Sequence, residues 1–194
     1  MGLLFVLSGP SGVGKDALLA RMKGRSPKLH FAVTATTRPP RPGEKDGQDY
    51  HFLSAARFME LIKNREMLEW ARVYGHWYGV PKGEIRQGFA RGQDVLVKVD
   101  VQGAATIKDL LAQAVLIFVT PPSLEVLRER LRARNSEAAA ELELRLLTAQ
   151  EEIKRLPLFD YVVVNDELDR AAAQAEAIVA AEQCRVNPRQ VELP

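Results

Sequence analysis

Residues 9–16 form a segment of this chain that is suited to bind a phosphate group. They read Gly-Pro-Ser-Gly-Val-Gly-Lys-Asp and lie between the apolar run 3–7 and the helix-like run 17–22. A glycine-rich turn between strand and helix points backbone N–H groups at a phosphate, and Lys15 adds a positive charge at the β/γ end of a nucleotide. The segment therefore predicts binding of a nucleoside triphosphate by Gly9, Pro10, Ser11, Gly12, Val13, Gly14, Lys15 and Asp16.

The last residue of this loop departs from the usual pattern. Ser or Thr normally supplies a neutral hydroxyl ligand for Mg²⁺ there, whereas this chain has Asp16. Two unit charges ~4 Å apart repel by ~4 kcal/mol at an effective dielectric of ~20, so a carboxylate beside a triphosphate needs a compensating cation. One hypothesis is that Asp16 is a metal ligand and makes nucleotide binding depend steeply on Mg²⁺. The alternative is an acid favoured by a helix N-terminus.

A second group of residues with phosphate chemistry lies at 34–52. Arg38 and Arg41 stand three residues apart among three prolines, which do not support a helix, so we expect them in a loop. A guanidinium can hold a phosphate through two parallel hydrogen bonds, and with Tyr50 nearby the pair predicts a second phosphate site. The alternative is a solvated loop in which an arginine pairs with Glu44 or Asp46.

Apolar runs and helical patterns alternate along much of the chain. The runs are continuous, as in strands covered on both faces of a parallel sheet, and they occupy residues 3–7, 95–99, 115–119 and 161–164. Helical patterns separate them at residues 16–22, 103–111, 124–134 and 168–181. This alternation predicts an α/β fold with crossover connections.

Two segments do not follow that alternation. Residues 31–92 read as an inserted lobe, with strand-like pieces at 31–34, 49–53 and 77–80 and a helix at 55–64. Residues 128–155 are charged and helical, with a turn at Asn135-Ser136, and we expect them to cover the phosphate loop.

Composition limits the class of protein. A chain of 194 residues with 46% hydrophobic content predicts a single domain with one substantial core. The net charge of +2 implies no global attraction to nucleic acid or an anionic membrane. The single Cys184 excludes an internal disulfide and a multi-cysteine zinc site. With no secretion signal and no apolar run near the ~20 residues that cross a bilayer, we expect a cytoplasmic protein.

The stretch 36–52 is very similar to the signature of guanylate kinases and lies where that family carries it. The resemblance covers nearly the whole chain, with further matches at 69–71, 78–79, 97–103, 130–134 and 164–166. It implies a P-loop kinase fold with a parallel core sheet flanked by helices, an inserted GMP-binding lobe and a helical lid. The expected boundaries are about 1–30, 93–127 and 146–194 for the core, 31–92 for the lobe and 128–145 for the lid.

The resemblance also implies the activity and its acceptor site. The reaction would be ATP and GMP giving ADP and GDP, with Mg²⁺. A carboxylate such as Glu69 can accept from both the ring N–H and the exocyclic amine of guanine, a donor pair that adenine lacks. By match to the family, the GMP-binding residues would be Thr34, Arg38, Arg41, Tyr50, Glu69, Tyr78 and Asp100.

On the donor side, the family pattern implies convergence of arginines on the transferring phosphoryl group, where they balance charge on its oxygens. The residues implied to be catalytic are Lys15, Arg38, Arg130, Arg134 and Arg145, and Asn165 would contact the adenine end of ATP. Phosphoryl transfer depends mostly on positioning and electrostatics, so no catalytic histidine is expected, and His30, His51 and His76 are interpreted as structural.

The chain departs from the family at Val80, where a Ser or Thr hydroxyl would help to bind the base. Because a lost hydrogen bond to a buried group can cost about 1 to 3 kcal/mol, we expect weaker GMP binding than in a Val80→Ser variant.

Two other functions fit parts of the sequence. Ribose 1,5-bisphosphate phosphokinases resemble this family and can carry Gly-Lys-Asp in the loop, but they should not need the full acceptor set. Non-catalytic guanylate-kinase-like interaction modules characteristically lose the phosphate loop, whereas Gly9, Gly14 and Lys15 are present here. The sequence does not specify the oligomeric state.

Overall fold

The computed structural model describes residues 1–73, 75–134 and 139–194, and the side chains of all of these except 134 and 139–141. The strands are Gly2–Ser8 (β1), Leu29–Phe31 (β2), Ala35–Thr36 (β3), His51–Phe52 (β4), Met67–Val73 (β5), His76–Pro81 (β6), Asp94–Lys98 (β7), Val115–Thr120 (β8), Tyr161–Val164 (β9) and Gln190–Val191 (β10). The helices are Lys15–Lys23 (α1), Ala55–Lys63 (α2), Lys82–Ala90 (α3), Val101–Leu110 (α4), Leu124–Arg134 (α5), Ala139–Ile153 (α6) and Leu168–Gln183 (α7).

A parallel sheet of order β2-β7-β1-β8-β9 forms the centre of the fold, and β10 adds to β1 in antiparallel orientation. The middle strands β1 and β8 are buried along almost their whole length. Their continuous apolar sequences arise because helices cover both faces of the sheet. The predicted α/β class with a helix-flanked parallel sheet is confirmed.

Each face of this sheet has its own apolar cluster. One cluster joins alternate β1 residues such as Phe5 to α1 and α7, and it includes Leu18 and Val179. The other joins the opposite β1 residues, such as Val6, to α3 and α4. Because successive strand residues point to opposite faces, one run of apolar residues supplies both clusters.

The carboxyl ends of two neighbouring strands bring the predicted phosphate loop and Asp100 close together. Leu7 of β1 pairs with Lys98 of β7, so the loop at residues 9–14 and the turn at Val99-Asp100 lie at the same sheet edge. Ligands bind at this edge in open α/β sheets. Asp100 also starts α4, since its carboxylate accepts the Gly103 backbone N–H at 2.7 Å.

A second sheet of order β4-β3-β6-β5 lies within the predicted lobe. Its small apolar cluster contains Ala35, Phe58 and Met67. Leu68 and Val80 of the same sheet instead belong to a cluster of the central sheet. The two sheets therefore share apolar packing.

The predicted strand at 31–34 is wrong in its boundaries and its sheet. The chain forms β2 at Leu29–Phe31 in the central sheet, leaves it after the Ala32 N–H bonds Leu96 O at 3.0 Å, and begins β3 at Ala35. An apolar run does not reveal which sheet supplies its hydrogen bonds.

The charged helical segment is two helices, α5 and α6, which pack through Leu127, Leu131, Leu142, Leu146 and Ala149. The predicted turn at Asn135-Ser136 lies outside the described residues. Among the described helices, none is long and apolar enough to cross a membrane.

Candidate active site

The loop at residues 9–14 contains positions whose backbone conformation only glycine adopts without strain. Gly9 has φ of 142°, and a Cβ there would lie 2.1 Å from the carbonyl oxygen of Val119. Gly14 has φ of 97°, and its Cβ would lie 2.5 Å from Asn165 Nδ2. Both positions combine a left-handed conformation with close approach of a neighbour, so side chains are excluded. The loop shape is therefore fixed by its glycines.

Lys15 lies across the mouth of this loop. Its Nζ donates to the carbonyl oxygens of Gly9 and Pro10 at 2.5 and 2.9 Å. Burial lowers the pKa of Lys15 to about 8, against the opposing effect of the carboxylates of Glu152 and Asp16. The ammonium is thus held at the loop by backbone carbonyls.

Asn165 and Arg130 brace the loop from outside. Asn165 Nδ2 donates to the Val13 carbonyl at 2.8 Å. Arg130 donates to the same carbonyl at 3.3 Å and to the Asn165 carbonyl at 2.8 Å. Three segments distant in sequence therefore meet at Val13.

A cavity of about 500 Å³ opens in front of the loop. Its lining brings together residues predicted for both phosphate sites: Gly9, Ser11, Gly12, Gly14, Lys15, Asp16, Thr34, Arg41, Tyr50, Glu69, Tyr78, Asp100 and Arg145. Pro10, Val13, Arg38, Arg130 and Asn165 do not line it. The side chain of Arg134 lies outside the described part of the structure.

The arginine loop is organised around Glu44. Arg38 Nη2 donates to both Glu44 carboxylate oxygens at 2.9 Å, and the Arg41 backbone N–H donates to the same carboxylate at 2.7 Å. The Arg38 guanidinium also lies over the Tyr50 ring, 5.6 Å from its centroid. The ion pair with Glu44 that we considered from sequence is present, and it holds Arg38 beside Tyr50.

Tyr50 and Tyr78 stand together at the cavity wall, in an edge-on contact with ring centroids 6.0 Å apart. Tyr78 pairs with Thr36 across β3 and β6. The second sheet thus brings two phenol groups to the cavity, where hydroxyls can donate to a phosphate.

Thr34 reaches the cavity from a stretch anchored by Glu84. The Glu84 carboxylate accepts the Val33 backbone N–H at 3.0 Å and contacts His51 Nε2 at 2.8 Å. His30 Nε2 lies 3.3 Å from the same carboxylate. Two of the three histidines therefore lie against the carboxylate that holds the chain preceding Thr34.

Glu69 is a buried carboxyl group in the cavity wall, with 4% of its surface exposed. Burial, together with the negative charge of Asp100, raises the pKa of Glu69 to about 8. The group is therefore mostly protonated at neutral pH.

Lys98 also lines the cavity, although it is not among the residues predicted to form the site. Its Nζ donates to Asp16 Oδ1 at 2.5 Å and to Tyr50 Oη at 2.8 Å. The available signal was a single cation at the end of the apolar strand β7.

Glu152 and Arg155, from the end of the helical segment, also line the cavity. The Glu152 carboxylate lies near the backbone N–H of Ser11 and near Lys15. Burial raises the pKa of Glu152 to about 7, and the charge of Asp100 adds to this effect. No local pattern marks these residues, because only the packing of α6 brings them to the loop.

Known proteins match this chain over nearly its whole length. The family model described as guanylate kinase matches residues 1–182. A guanylate kinase from Gloeobacter violaceus is 50% identical over 179 residues, which cover 92% of this chain and 87% of that protein. Guanylate kinase 2, chloroplastic/mitochondrial, from rice is 46% identical over 194 residues, covering 98% of this chain and 68% of that protein. The chain belongs to the guanylate kinase family.

Solved structures agree with this family assignment. The guanylate kinase of Anaplasma phagocytophilum superposes with a TM-score of 0.78 at 34% identity, covering 95% of this chain and 88% of that one. A shikimate kinase from Bacteroides thetaiotaomicron, at 15% identity and a TM-score of 0.51, shares the fold alone.

Two expectations from the guanylate kinase pattern differ from the geometry. Arg145 faces the cavity, whereas Arg130 bonds backbone carbonyls behind the loop, so the two do not converge in this structure. Val80 is fully buried in an apolar cluster with Leu68 and Ile85 and does not line the cavity. A gain in GMP binding from Val80→Ser therefore does not follow from its position.

Proposed function

We infer that the protein is a guanylate kinase, an ATP-dependent nucleoside monophosphate kinase that converts ATP and GMP to ADP and GDP. The observation that carries this function is the shared cavity, in which a phosphate loop faces a second set of phosphate-binding side chains and a buried carboxyl group. Such a cavity suits a donor triphosphate and an acceptor monophosphate better than a single ligand.

On the acceptor side, we propose that Arg41, Tyr50 and Tyr78 hold the GMP phosphate, together with Arg38. Glu44 already orients Arg38, so a small rotation of its guanidinium would bring it to the phosphate. Glu69 would accept from the guanine ring N–H and exocyclic amine, and Thr34 would contact the base. Adenine presents no such donor pair, which gives the site its specificity.

On the donor side, Lys15 and the loop N–H groups would bind the β- and γ-phosphates of ATP, with Asn165 at the adenine end. A phosphate oxygen of GMP forms a bond to the γ-phosphorus as the bond from that phosphorus to the β,γ-bridging oxygen breaks. Arg145, with Arg130 and Arg134 after lid movement, would balance charge on the γ-phosphoryl oxygens. No side chain needs to remove a proton, because the attacking GMP phosphate is already anionic.

Magnesium is proposed as the ion that accompanies ATP, and it would supply positive charge that offsets the charge of the phosphate groups. Within the described residues, no group of three or more His, Cys, Asp or Glu side chains could hold a metal. Asp16, the candidate ligand, already has the Lys98 ammonium against its carboxylate. These residues do not fit a protein-held metal at Asp16 while that pair is intact.

We propose the lobe at about 31–92 and the lid at about 128–145 as the parts that move over the core at about 1–30, 93–127 and 146–194. A cytoplasmic location is also proposed, because both substrates are intracellular nucleotides. Cell fractionation tests the location.

A coupled assay with ATP and three acceptors tests the activity: GMP, AMP and ribose 1,5-bisphosphate. We expect turnover with GMP at least 100-fold above the other two. Turnover of the sugar phosphate in preference to GMP would favour the ribose 1,5-bisphosphate phosphokinase alternative. Absence of ATP binding in a calorimetric titration would favour the interaction module.

A further inference from the structure

Lys98 connects the two substrate sites through direct contacts. Its ammonium lies between the Asp16 carboxylate of the phosphate loop, at 2.5 Å, and the Tyr50 hydroxyl of the acceptor side, at 2.8 Å. It is also 4.3 Å from the centroid of the Tyr50 ring. We call these three residues the Asp16–Lys98–Tyr50 bridge.

The environment of Lys98 is that of a fixed charge and not of a solvated surface lysine. Its side chain is 13% exposed, while that of Asp16 is 59% exposed. Burial alone would lower the pKa of Lys98, but the Tyr50 and Asp16 contacts outweigh it and raise the pKa above the ordinary value. Lys98 therefore carries its charge at neutral pH, and its stem packs within the protein.

This charge lies beside the residue that departs from the usual phosphate loop. An unpaired Asp16 carboxylate would repel a triphosphate bound to the same loop, whereas the ion pair has no net charge. A divalent cation bound by the Asp16 carboxylate would meet the Lys98 ammonium at short range and be repelled by it. The geometry therefore favours the lysine as the counter-charge of Asp16 over a metal ion.

We propose that Lys98 is a positioning residue of the kinase reaction, which neutralises Asp16 at the donor loop and orients the Tyr50 hydroxyl at the acceptor site. In this chain a salt bridge between Asp16 and Lys98 stands where the usual loop has a hydroxyl group, so that any Mg²⁺ would be held by ATP and not by residue 16. This proposal rests on the proposed kinase function, since it assigns the two ends of the bridge to ATP and GMP.

The main test is Lys98→Met, which keeps an unbranched side chain only one heavy atom shorter and removes the charge. ATP binding is measured by calorimetry without any acceptor, across a series of free Mg²⁺ concentrations. We expect ATP affinity to fall at least 10-fold and the free Mg²⁺ needed for half-maximal binding to rise, because Asp16 then loses the charge of Lys98. Lys23→Met, at the far end of α1, is the control and should change neither value.

The Asp16→Asn/Lys98→Met double variant tests whether the two charges act as a pair. We expect it to recover ATP affinity to within about 3-fold of wild type, because both charges are removed together. Asp16→Asn alone should leave the Mg²⁺ requirement unchanged. If Asp16→Asn raises that requirement while Lys98→Met does not, Asp16 is a metal ligand and the proposal is overturned.

Steady-state kinetics test the acceptor end of the bridge. We expect the KM for GMP to rise about 3-fold or more in Lys98→Met, and Tyr50→Phe to add less in that background than in wild type. Additive effects of the two substitutions would overturn this part, because they would mean that Lys98 does not act through Tyr50.

Two measurements keep the outcome interpretable. If Lys98→Met does not fold, Lys98→Arg and the double variant replace it. Both should keep the Mg²⁺ requirement of wild type, because the former retains the charge and the latter removes both charges. A raised requirement in either variant would overturn the proposal. Wild-type turnover of GMP tests the kinase function separately from the acceptor-free ATP titrations. Unchanged ATP affinity in Lys98→Met would overturn the bridge even in an active guanylate kinase.

Discussion

The carboxyl group of Glu69 lies directly against Gly103 in the first turn of α4. A Cβ built on Gly103 would be 2.9 Å from both the carboxyl carbon and Oε2 of Glu69. The position of the proposed base-reading group therefore depends on the absence of a side chain on a neighbouring helix.

Gly103→Ala should weaken GMP binding without lowering the stability of the fold. The alanine methyl displaces the flexible end of Glu69, so we expect the KM for GMP to rise about 10-fold. Helix stability should gain up to ~1 kcal/mol, because alanine has a higher helix propensity than glycine. Gly83→Ala is the matched control, since a Cβ there meets no atom within 4 Å. An unchanged KM in Gly103→Ala would show that Glu69 does not need its present position.

The raised pKa of Glu69 predicts a pH dependence of stability without nucleotide. The pKa is about 8 in the fold against 4.5 for the ordinary group, because burial and Asp100 disfavour the charged form. As pH rises, the Glu69 carboxyl group of the unfolded chain ionises first, which favours unfolding. The stability that the protonated group allows is therefore fully present below pH ~4.5 and falls by on the order of 3 to 5 kcal/mol as pH rises to ~8. Urea unfolding of wild type and Glu69→Gln at pH 5 and 8 measures this loss of stability. An equal change in the free energy of unfolding between the two pH values in both proteins would contradict the prediction.

GMP binding should release a proton from Glu69. A carboxylate accepts two hydrogen bonds from guanine, whereas the protonated acid offers a donor where an acceptor is needed. We expect GMP affinity to increase between pH 6.5 and 8 in wild type more than it does in Glu69→Gln. The comparison with this variant removes the effect of the titration of the GMP phosphate, which both proteins share. Calorimetry in buffers of different ionisation enthalpy counts the protons, and zero release at pH 7 would be inconsistent with this mechanism.

Glu152 should oppose ATP binding, since its carboxylate lies in the cavity beside the phosphate loop, near Ser11 and Lys15. Its pKa is raised to about 7, mainly by burial, so its negative charge and its repulsion of ATP grow as pH rises through 7. We expect Glu152→Gln to bind ATP up to about 10-fold more tightly at pH 8 and to lose that pH dependence. Glu151→Gln is the control, because Glu151 is 69% exposed and paired with Lys154. Equal effects of both substitutions would mean that ATP binding responds to the net charge of the protein and not to the position of Glu152 beside the phosphate loop.

The phosphate loop and the central strands could be predicted from sequence because their signals are local. Glycines with left-handed backbone mark the loop, and continuous apolar runs mark strands covered on both faces. The boundary between β2 and β3 could not be predicted, since it depends on which partner strand supplies the hydrogen bonds. The helix α3 and strand β5 were also missed, because the inserted segment has no continuous apolar run to set its elements apart.

The glycine-rich loop, the pair Arg38 and Arg41 and the family can be read from the sequence, because each is carried by residue types at short spacing. What those residues contact depends on the folding of the chain. Lys98 meets Asp16 across 82 positions and Tyr50 across 48, and Glu152 reaches the loop only through the packing of α6. Charges so far apart in the chain acquire an interaction only when strand order brings them to one edge of the sheet, and burial then sets its strength.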